Sequence, residues 1–202
     1  MKDLFPPLVP GVFYHIYNRG NNDENLFREQ RNYAYFLQLY ARHVEPVAET
    51  YAYCLLKNHF HLLVRVRGEE EVVSGEGKPF RPSHNFGNLF NAYTKTVNKT
   101  YGRRGSLFQR RFKRVAVQDD AYLRRLIFYI HANPRKHGLV DDFRNWPWSS
   151  YPALTGKGKT RLAREAVLAL FGGLDGFLEF HREMANLTGL QDPLGFEARG
   201  ET

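Results

Sequence analysis

His59-Phe60-His61 is the pair of side chains in this sequence best spaced to hold an ion. In an extended strand, residues two apart share a face with Cα atoms roughly 6.5–7 Å apart. Both imidazoles can then converge on one cation while Phe60 packs behind. Two histidines tied up in ordinary hydrogen bonds satisfy the same spacing equally well. Two imidazoles also leave a metal short of ligands, so a third donor is required.

A helical pattern further along offers one. Tyr129 and Asn133 are four apart, which puts them on one helix face about 6 Å apart along the axis. Tyr122, Leu126, Tyr129 and Asn133 make one stripe bordering the apolar face of Leu123, Leu126, Ile127 and Ile130. Asparagine supplies a neutral carbonyl oxygen, suited to a hard cation such as Mg²⁺ or Mn²⁺. Spacing alone favours the plainer reading, in which Tyr129 is a core residue and Asn133 a helix-ending polar group. Tyr122 lies two turns before Tyr129 on the same stripe, so any role given to Tyr129 has Tyr122 as its rival. His131 faces another side of the helix and reads as structural. His15, His43, His84, His137 and His181 lack a partner at ligand spacing and read as ordinary polar residues. Ser149-Ser150 has no Gly-x-Ser-x-Gly context, and no Gly-x-x-x-x-Gly-Lys-Ser/Thr phosphate loop occurs. The single cysteine, Cys54, excludes an internal disulfide and a cysteine-rich zinc site.

The elements that must position these residues can be read from periodicity. Residues 13–17 are aromatic and β-prone and stop at a turn-like run over 18–22. A helical face runs over 30–43. Two strand-like runs, 47–56 and 59–66, flank Lys57-Asn58 as a hairpin, and 67–82 reads as a mobile loop. A second helix covers 84–101 and a strand 112–118. A third helix starts at an Asp119 or Asp120 cap and ends at Pro134. The order suggests an α+β fold, a ferredoxin-like antiparallel sheet with helices packed on it. After Trp146-Pro147-Trp148, residues 156–159 read as a linker, followed by helical patches over 162–171 and 174–187. The expected division is therefore one domain over 1–151 and a short helical C-terminal extension over 152–202.

Charge points to a polyanionic partner. The 202 residues carry a net charge of +8, and six cations without an acid fall in 103–114. Such concentration suits a phosphate-binding surface better than diffuse solubilising charge. The 43% apolar content can build a core, which excludes a disordered tail. No apolar run approaches the roughly 20 residues of a membrane span, and the start does not read as a signal peptide. A cytoplasmic protein with no membrane partner is expected.

Several motifs in order resemble one family. Tyr17-Asn-Arg-Gly-Asn-Asn22, Tyr51-Ala-Tyr-Cys-Leu-Leu-Lys-Asn-His-Phe-His-Leu-Leu-Val64, Gly105-Ser-Leu-Phe-Gln-Arg-Arg-Phe-Lys113, Tyr129-Ile-His-Ala-Asn-Pro134 and Trp146-Pro-Trp-Ser-Ser-Tyr151 are similar to motifs of the REP-associated tyrosine transposases. These belong to the single-tyrosine HUH transposases of bacterial insertion sequences. The resemblance implies cleavage of single-stranded DNA beside a REP-like hairpin, using Mg²⁺ or Mn²⁺, in a nucleoid-associated protein. It implies His59 and His61 as metal ligands, Tyr129 as nucleophile, and Asn133 at the third-ligand position. Attack would leave a 5′-phosphotyrosine, and a 3′ hydroxyl could reverse the step without ATP. Among the cations, Arg110, Arg111, Lys113 and Arg114 would contact phosphates, with strand alternation sending some to opposite faces. Arg19 and Asn21, in a loop, could read bases. Members act as monomers or as homodimers, so the resemblance leaves oligomeric state open.

Two departures stand out: Lys57 replaces a proline common among relatives, and the 67–82 connection is long. A catalytically silent nucleic-acid-binding regulator on the same fold, or a metal hydrolase that uses water, are the competing readings.

Overall fold

Leu56, Lys57 and Asn58 reverse the chain between β2 (Ala48–Leu55) and β3 (His59–Val66). The turn is closed by the Leu56 N–H on the His59 carbonyl at 2.8 Å. In this computed structural model, which describes residues 4–71, 80–117 and 119–188, β3 pairs on its other side with β1 (Phe13–Arg19). β1 in turn pairs with β4 (Lys113–Val117). All pairings are antiparallel and the order is β2-β3-β1-β4. With α1 (Gln30–His43) after β1 and α2 (Pro82–Tyr101) after β3, this is the ferredoxin-like βαββαβ arrangement that the periodicity suggests. The loop expected over 67–82 falls largely on 72–79, outside the described residues.

Alternation divides the sheet into two faces. Tyr14, Ile16, Phe60, Leu62 and Val64 pack with α1 and α2 residues such as Phe36, Tyr40, Phe86 and Tyr93. The opposite face, with Ala52, Cys54, Leu63 and Val117, lies against α3 (Asp120–Lys136) and its Leu123, Ile127 and Ile130. His59 and His61 share the parity of Leu63, so they point toward α3. One slip in β3 register would exchange them with Phe60 and Leu62.

Two expectations about these elements need correction. β1 runs on to Arg19, so Arg19 ends a strand instead of lying in a loop. Asn18 is tolerated inside the strand because its Nδ2 donates to the Gln109 carbonyl at 3.3 Å and its Oδ1 accepts the Arg19 N–H at 2.8 Å. α3 begins at the expected cap, where Asp119 accepts the Tyr122 N–H at 2.7 Å, but it passes through Pro134 to Lys136. Proline this late in a helix removes one N–H only, and the turn is closed by the His137 N–H on the Asn133 carbonyl at 2.9 Å. Gly138, at φ 64°, ends it. A short α4 (Tyr151–Thr155) was not apparent from periodicity.

α5 (Arg164–Ala169) and α6 (Leu174–Thr188) follow. Tyr151, Leu154, Val167 and Phe177 join α3 in one core. The intervening chain runs beside β2. Leu55 N–H bonds to the Trp148 carbonyl at 2.9 Å, Ser150 N–H to the Tyr53 carbonyl at 2.9 Å, and Ala163 N–H to the Thr50 carbonyl at 3.0 Å. At the other edge, the Arg114 N–H bonds to the Leu4 carbonyl at 3.0 Å.

Candidate active site

The neighbours of each histidine decide what its ring can do. Nδ1 of His59 lies 2.8 Å from Asn58 Oδ1, an atom that can only accept, so His59 donates from Nδ1. Nδ1 of His61 lies 3.0 Å from Nε2 of His15. Both ligand-candidate atoms, His59 Nε2 and His61 Nε2, are buried with no hydrogen-bond partner among the described residues. Burial drives the His59 pKa down to about 3, helped by nearby His137, Arg19 and Lys136, and holds His61 well below its ordinary value. Both rings are therefore neutral near pH 7, the state in which imidazole binds a metal.

α3 lies across them. The Tyr129 ring centroid is 5.5 Å from that of His61, edge-on, and His137 is 4.7 Å from His59. Asn133 stands midway between these two contacts, four residues from each, on the same helix face. Its Nδ2 donates to the Tyr129 carbonyl at 2.7 Å, and its Oδ1 is buried without a hydrogen-bond partner. An unsatisfied buried acceptor costs about 1–3 kcal/mol. Two ring nitrogens on β3 and one amide oxygen on α3 are thus neutral, buried and without hydrogen-bond partners, the donor chemistry that a divalent cation takes. Among the described residues no three His, Cys, Asp or Glu side chains are placed to hold an ion together.

Tyr129 is almost wholly buried, with His15 6.3 Å away and the Lys136 Nζ 5.1 Å from its ring centroid. Tyr122, seven residues earlier, is about 10 Å away along the helix axis. Tyr129 is thus the tyrosine of this stripe set against the histidines.

Three histidines read as ordinary polar residues have specific places. His15 reaches His61 because β1 and β3 are adjacent, with Tyr17 opposite His61 and His15 one step along the same face. His137 lies two helical turns beyond Tyr129 and covers His59. His181, on α6, bonds through Nε2 to His131 Nδ1 at 2.9 Å, and His131 Nε2 contacts Ser150 Oγ at 2.7 Å. That second chain is structural and faces away from Tyr129. Sequence spacing carries no signal for pairs 46 and 50 residues apart.

The cations separate. Arg19, opposite His59 in the β1–β3 register, pairs with Asp23 at 3.2 Å. Lys113 sits on the histidine face with Nζ 5.6 Å from the Tyr17 ring, itself 5.9 Å from His61. Arg114 points to the opposite face, donating from Nε to the Pro6 carbonyl at 2.5 Å and from Nη2 to that of Phe5 at 3.2 Å. Arg110 and Arg111 are exposed in the turn before β4, with Arg111 at φ 57° and 5.6 Å from the Phe5 ring. Asn21 opens a short 3-10 turn and donates its N–H to the Leu107 carbonyl at 2.9 Å. Arg103, in the same basic run, is bound by Glu24 at 2.6 Å. Arg19, Lys113 and Lys136 therefore form the positive surround of the histidine face.

No protein-family model matches the chain. A curated relative from Haemophilus influenzae, described as "Putative REP-associated tyrosine transposase", is 30% identical over 112 residues, 51% of this chain and 58% of that protein. The match thus spans little more than half the relative's length. Among solved structures, a REP-associated tyrosine transposase bound to a REP hairpin superposes with a TM-score of 0.60, covering 78% of this chain and 87% of the other at 18% identity. At that identity the structural likeness establishes a shared fold. The sequence match agrees with the resemblance carried by the motifs, and the structural match agrees with the fold it implies.

Proposed function

We propose that this chain, similar to REP-associated tyrosine transposases in sequence and in fold, cleaves and rejoins single-stranded DNA beside a REP-like hairpin. Tyr129 is the nucleophile, and His59 Nε2, His61 Nε2 and Asn133 Oδ1 hold Mg²⁺ or Mn²⁺. One observation supports this reading: His59 Nε2 and His61 Nε2 on β3 and Asn133 Oδ1 on α3 are buried without hydrogen-bond partners, and the buried Tyr129 lies edge-on to His61. When bound, the cation supplies Lewis-acid charge withdrawal and a template at the scissile phosphate.

The chain's own residues account for the rest. Tyrosine has a free pKa near 10 and is a weak nucleophile at neutral pH. The Lys136 ammonium near its ring favours charge developing on the phenol oxygen. Tyr129 Oη forms a bond to phosphorus, the P–O3′ bond breaks, and the phenolic proton is transferred to the departing 3′ oxygen. The product is a 5′-phosphotyrosine and a free 3′ hydroxyl. A phosphodiester is exchanged for a phosphodiester, so a 3′ hydroxyl returning to the phosphorus rejoins strands without ATP. Arg19 and Lys113, on the histidine face, hold flanking phosphates, whereas Arg114 is turned to the N-terminal segment.

The test is a covalent-adduct assay with Mg²⁺ or Mn²⁺ and single-stranded hairpin oligonucleotides copied from DNA flanking the gene. A denaturation-resistant adduct is expected that needs the metal and is lost in Tyr129→Phe but kept in Tyr122→Phe. Loss in Tyr122→Phe alone would move the nucleophile two turns. Tight hairpin binding with no adduct would establish a silent regulator, and cleavage by water that survives Tyr129→Phe a hydrolase.

A further inference from the structure

The geometry points to His15 as a positioning residue that determines which nitrogen of His61 is presented to the cation, a role that rests on the metal reading above. His59 needs no such partner beyond its neighbour, because Asn58 Oδ1 can only accept and so fixes the proton on Nδ1. His61 has no carbonyl at the equivalent place. Its Nδ1 meets His15 Nε2 at 3.0 Å, with the rings stacked at 5.1 Å and 22°.

One proton occupies the line between these nitrogens. If it belongs to His61 Nδ1, then His61 Nε2 carries a lone pair and can ligate. If it belongs to His15 Nε2, then His61 Nε2 carries the other ring proton. That N–H would be buried with no acceptor among the described residues, and it could not bind a metal. The first arrangement puts the proton of His15 itself on Nδ1, which is likewise buried, so burial does not choose between the two; a cation at His61 Nε2 does, and it selects the first, with His15 as acceptor. His15 is itself only 1% exposed and lies edge-on to Tyr129 at 6.3 Å, so water does not readily replace it. Outer partners of ligating histidines act in this way generally, fixing tautomer and orientation, and their loss weakens metal binding roughly 10–100-fold.

The experiment uses the full chain as wild type, His15→Gln and His15→Leu. Glutamine keeps a carbonyl that can accept from His61, whereas leucine cannot. Mn²⁺ affinity is measured by calorimetry, and the His61 ring protonation by ¹⁵N-detected NMR with the diamagnetic Mg²⁺ added. The expected results are a proton on His61 Nδ1 in the wild type with Mg²⁺, and Mn²⁺ binding weakened about 10–100-fold in His15→Leu. His15→Gln should recover most of that loss, which a purely structural effect of losing the imidazole would not. A wild-type His61 protonated on Nε2, or a folded His15→Leu chain that binds Mn²⁺ as tightly as the wild type, overturns the role. Should His15→Leu fail to fold, the wild-type tautomer and the His15→Gln affinity still decide it. A wild-type chain that binds no Mn²⁺ removes the metal reading itself, separately visible from a tautomer result.

Discussion

Asn133 donates through Nδ2 to the carbonyl of Tyr129, one turn earlier in α3, at 2.7 Å. The bond uses the amide's donor on the helix's own backbone and leaves its oxygen as the end available to a ligand. It also couples the orientation of the candidate third ligand to the backbone of the candidate nucleophile.

Replacing Asn133 should therefore separate metal binding from folding. Asn133→Leu is expected to weaken Mn²⁺ binding by at least the roughly 10–100-fold that even outer-shell changes cost. Asn133→Asp keeps an oxygen and adds charge, so it should bind Mn²⁺ at least as tightly as the wild type. Without metal its buried carboxylate is unpaired, and the melting temperature should fall, then recover on adding Mn²⁺. Calorimetry and thermal melts measure both. Equal affinity in Asn133→Leu would place the third donor elsewhere.

Acid should destabilise the chain steeply. Burial lowers His15 and His59 to about 3 and His181 to about 4, and holds His61 and His131 well below the ordinary 6.5. Each folded-state value is depressed for a base, so protons prefer the unfolded chain. The stability from keeping these rings neutral is complete above pH 6.5 and is lost as pH falls from 6.5 toward the folded values. Each histidine contributes a slope of up to about 1.4 kcal/mol per pH unit in that window. Urea midpoints at pH 7.5, 6.5 and 5.5 should drop sharply over the last interval, and His181→Gln should flatten the profile. A flat wild-type profile would mean these rings are protonated in the fold.

Ser150 has a structural task that its place in a Trp-Pro-Trp-Ser-Ser run conceals. Its hydroxyl accepts the Tyr53 N–H at 2.9 Å and contacts His131 Nε2 at 2.7 Å. Ser150→Ala strands two buried groups and should cost about 2–6 kcal/mol in chemical denaturation, at about 1–3 kcal/mol per group. A loss under 1 kcal/mol would show that water or a shifted backbone takes over.

Lys113 and Arg114 are adjacent in sequence and on opposite faces of the sheet. Lys113→Ala should weaken single-stranded DNA binding and reduce the slope of log affinity against log salt by about 0.7, the share of one phosphate contact. Arg114→Ala should leave that slope unchanged, because the side chain is engaged with the Phe5 and Pro6 carbonyls. Equal slope changes in the two variants would disprove the facial separation.

The legible parts of this molecule are those where partners are close in sequence. His59 and His61 are two apart in a strand, Tyr129 and Asn133 four apart in a helix, and the sheet order follows from element order and short connections. His15, His137 and His181 escaped because their contacts depend on β1–β3 register or on how a helix lies over the sheet. Pro134 misled because the rule against proline concerns helix interiors, and here one lost N–H falls in the final turn. α4 is five residues long, too short for periodicity to show. The division of cations between faces was visible as strand alternation, but which face carries the histidines was set by β3 register.

The chain that returns beside β2 after Trp148 has a consequence for self-association. An outer strand ordinarily offers unpaired N–H and C=O groups on which a second molecule can lay its own strand. Here Thr50, Tyr53 and Leu55 have their backbone groups taken by Ala163, Ser150 and Trp148. A neighbouring copy would have to peel away this stretch before the sheet could grow through β2 from one molecule into the next. The route by which exposed strands template fibrils is guarded at that edge, and any dimer contact there must be made with side chains.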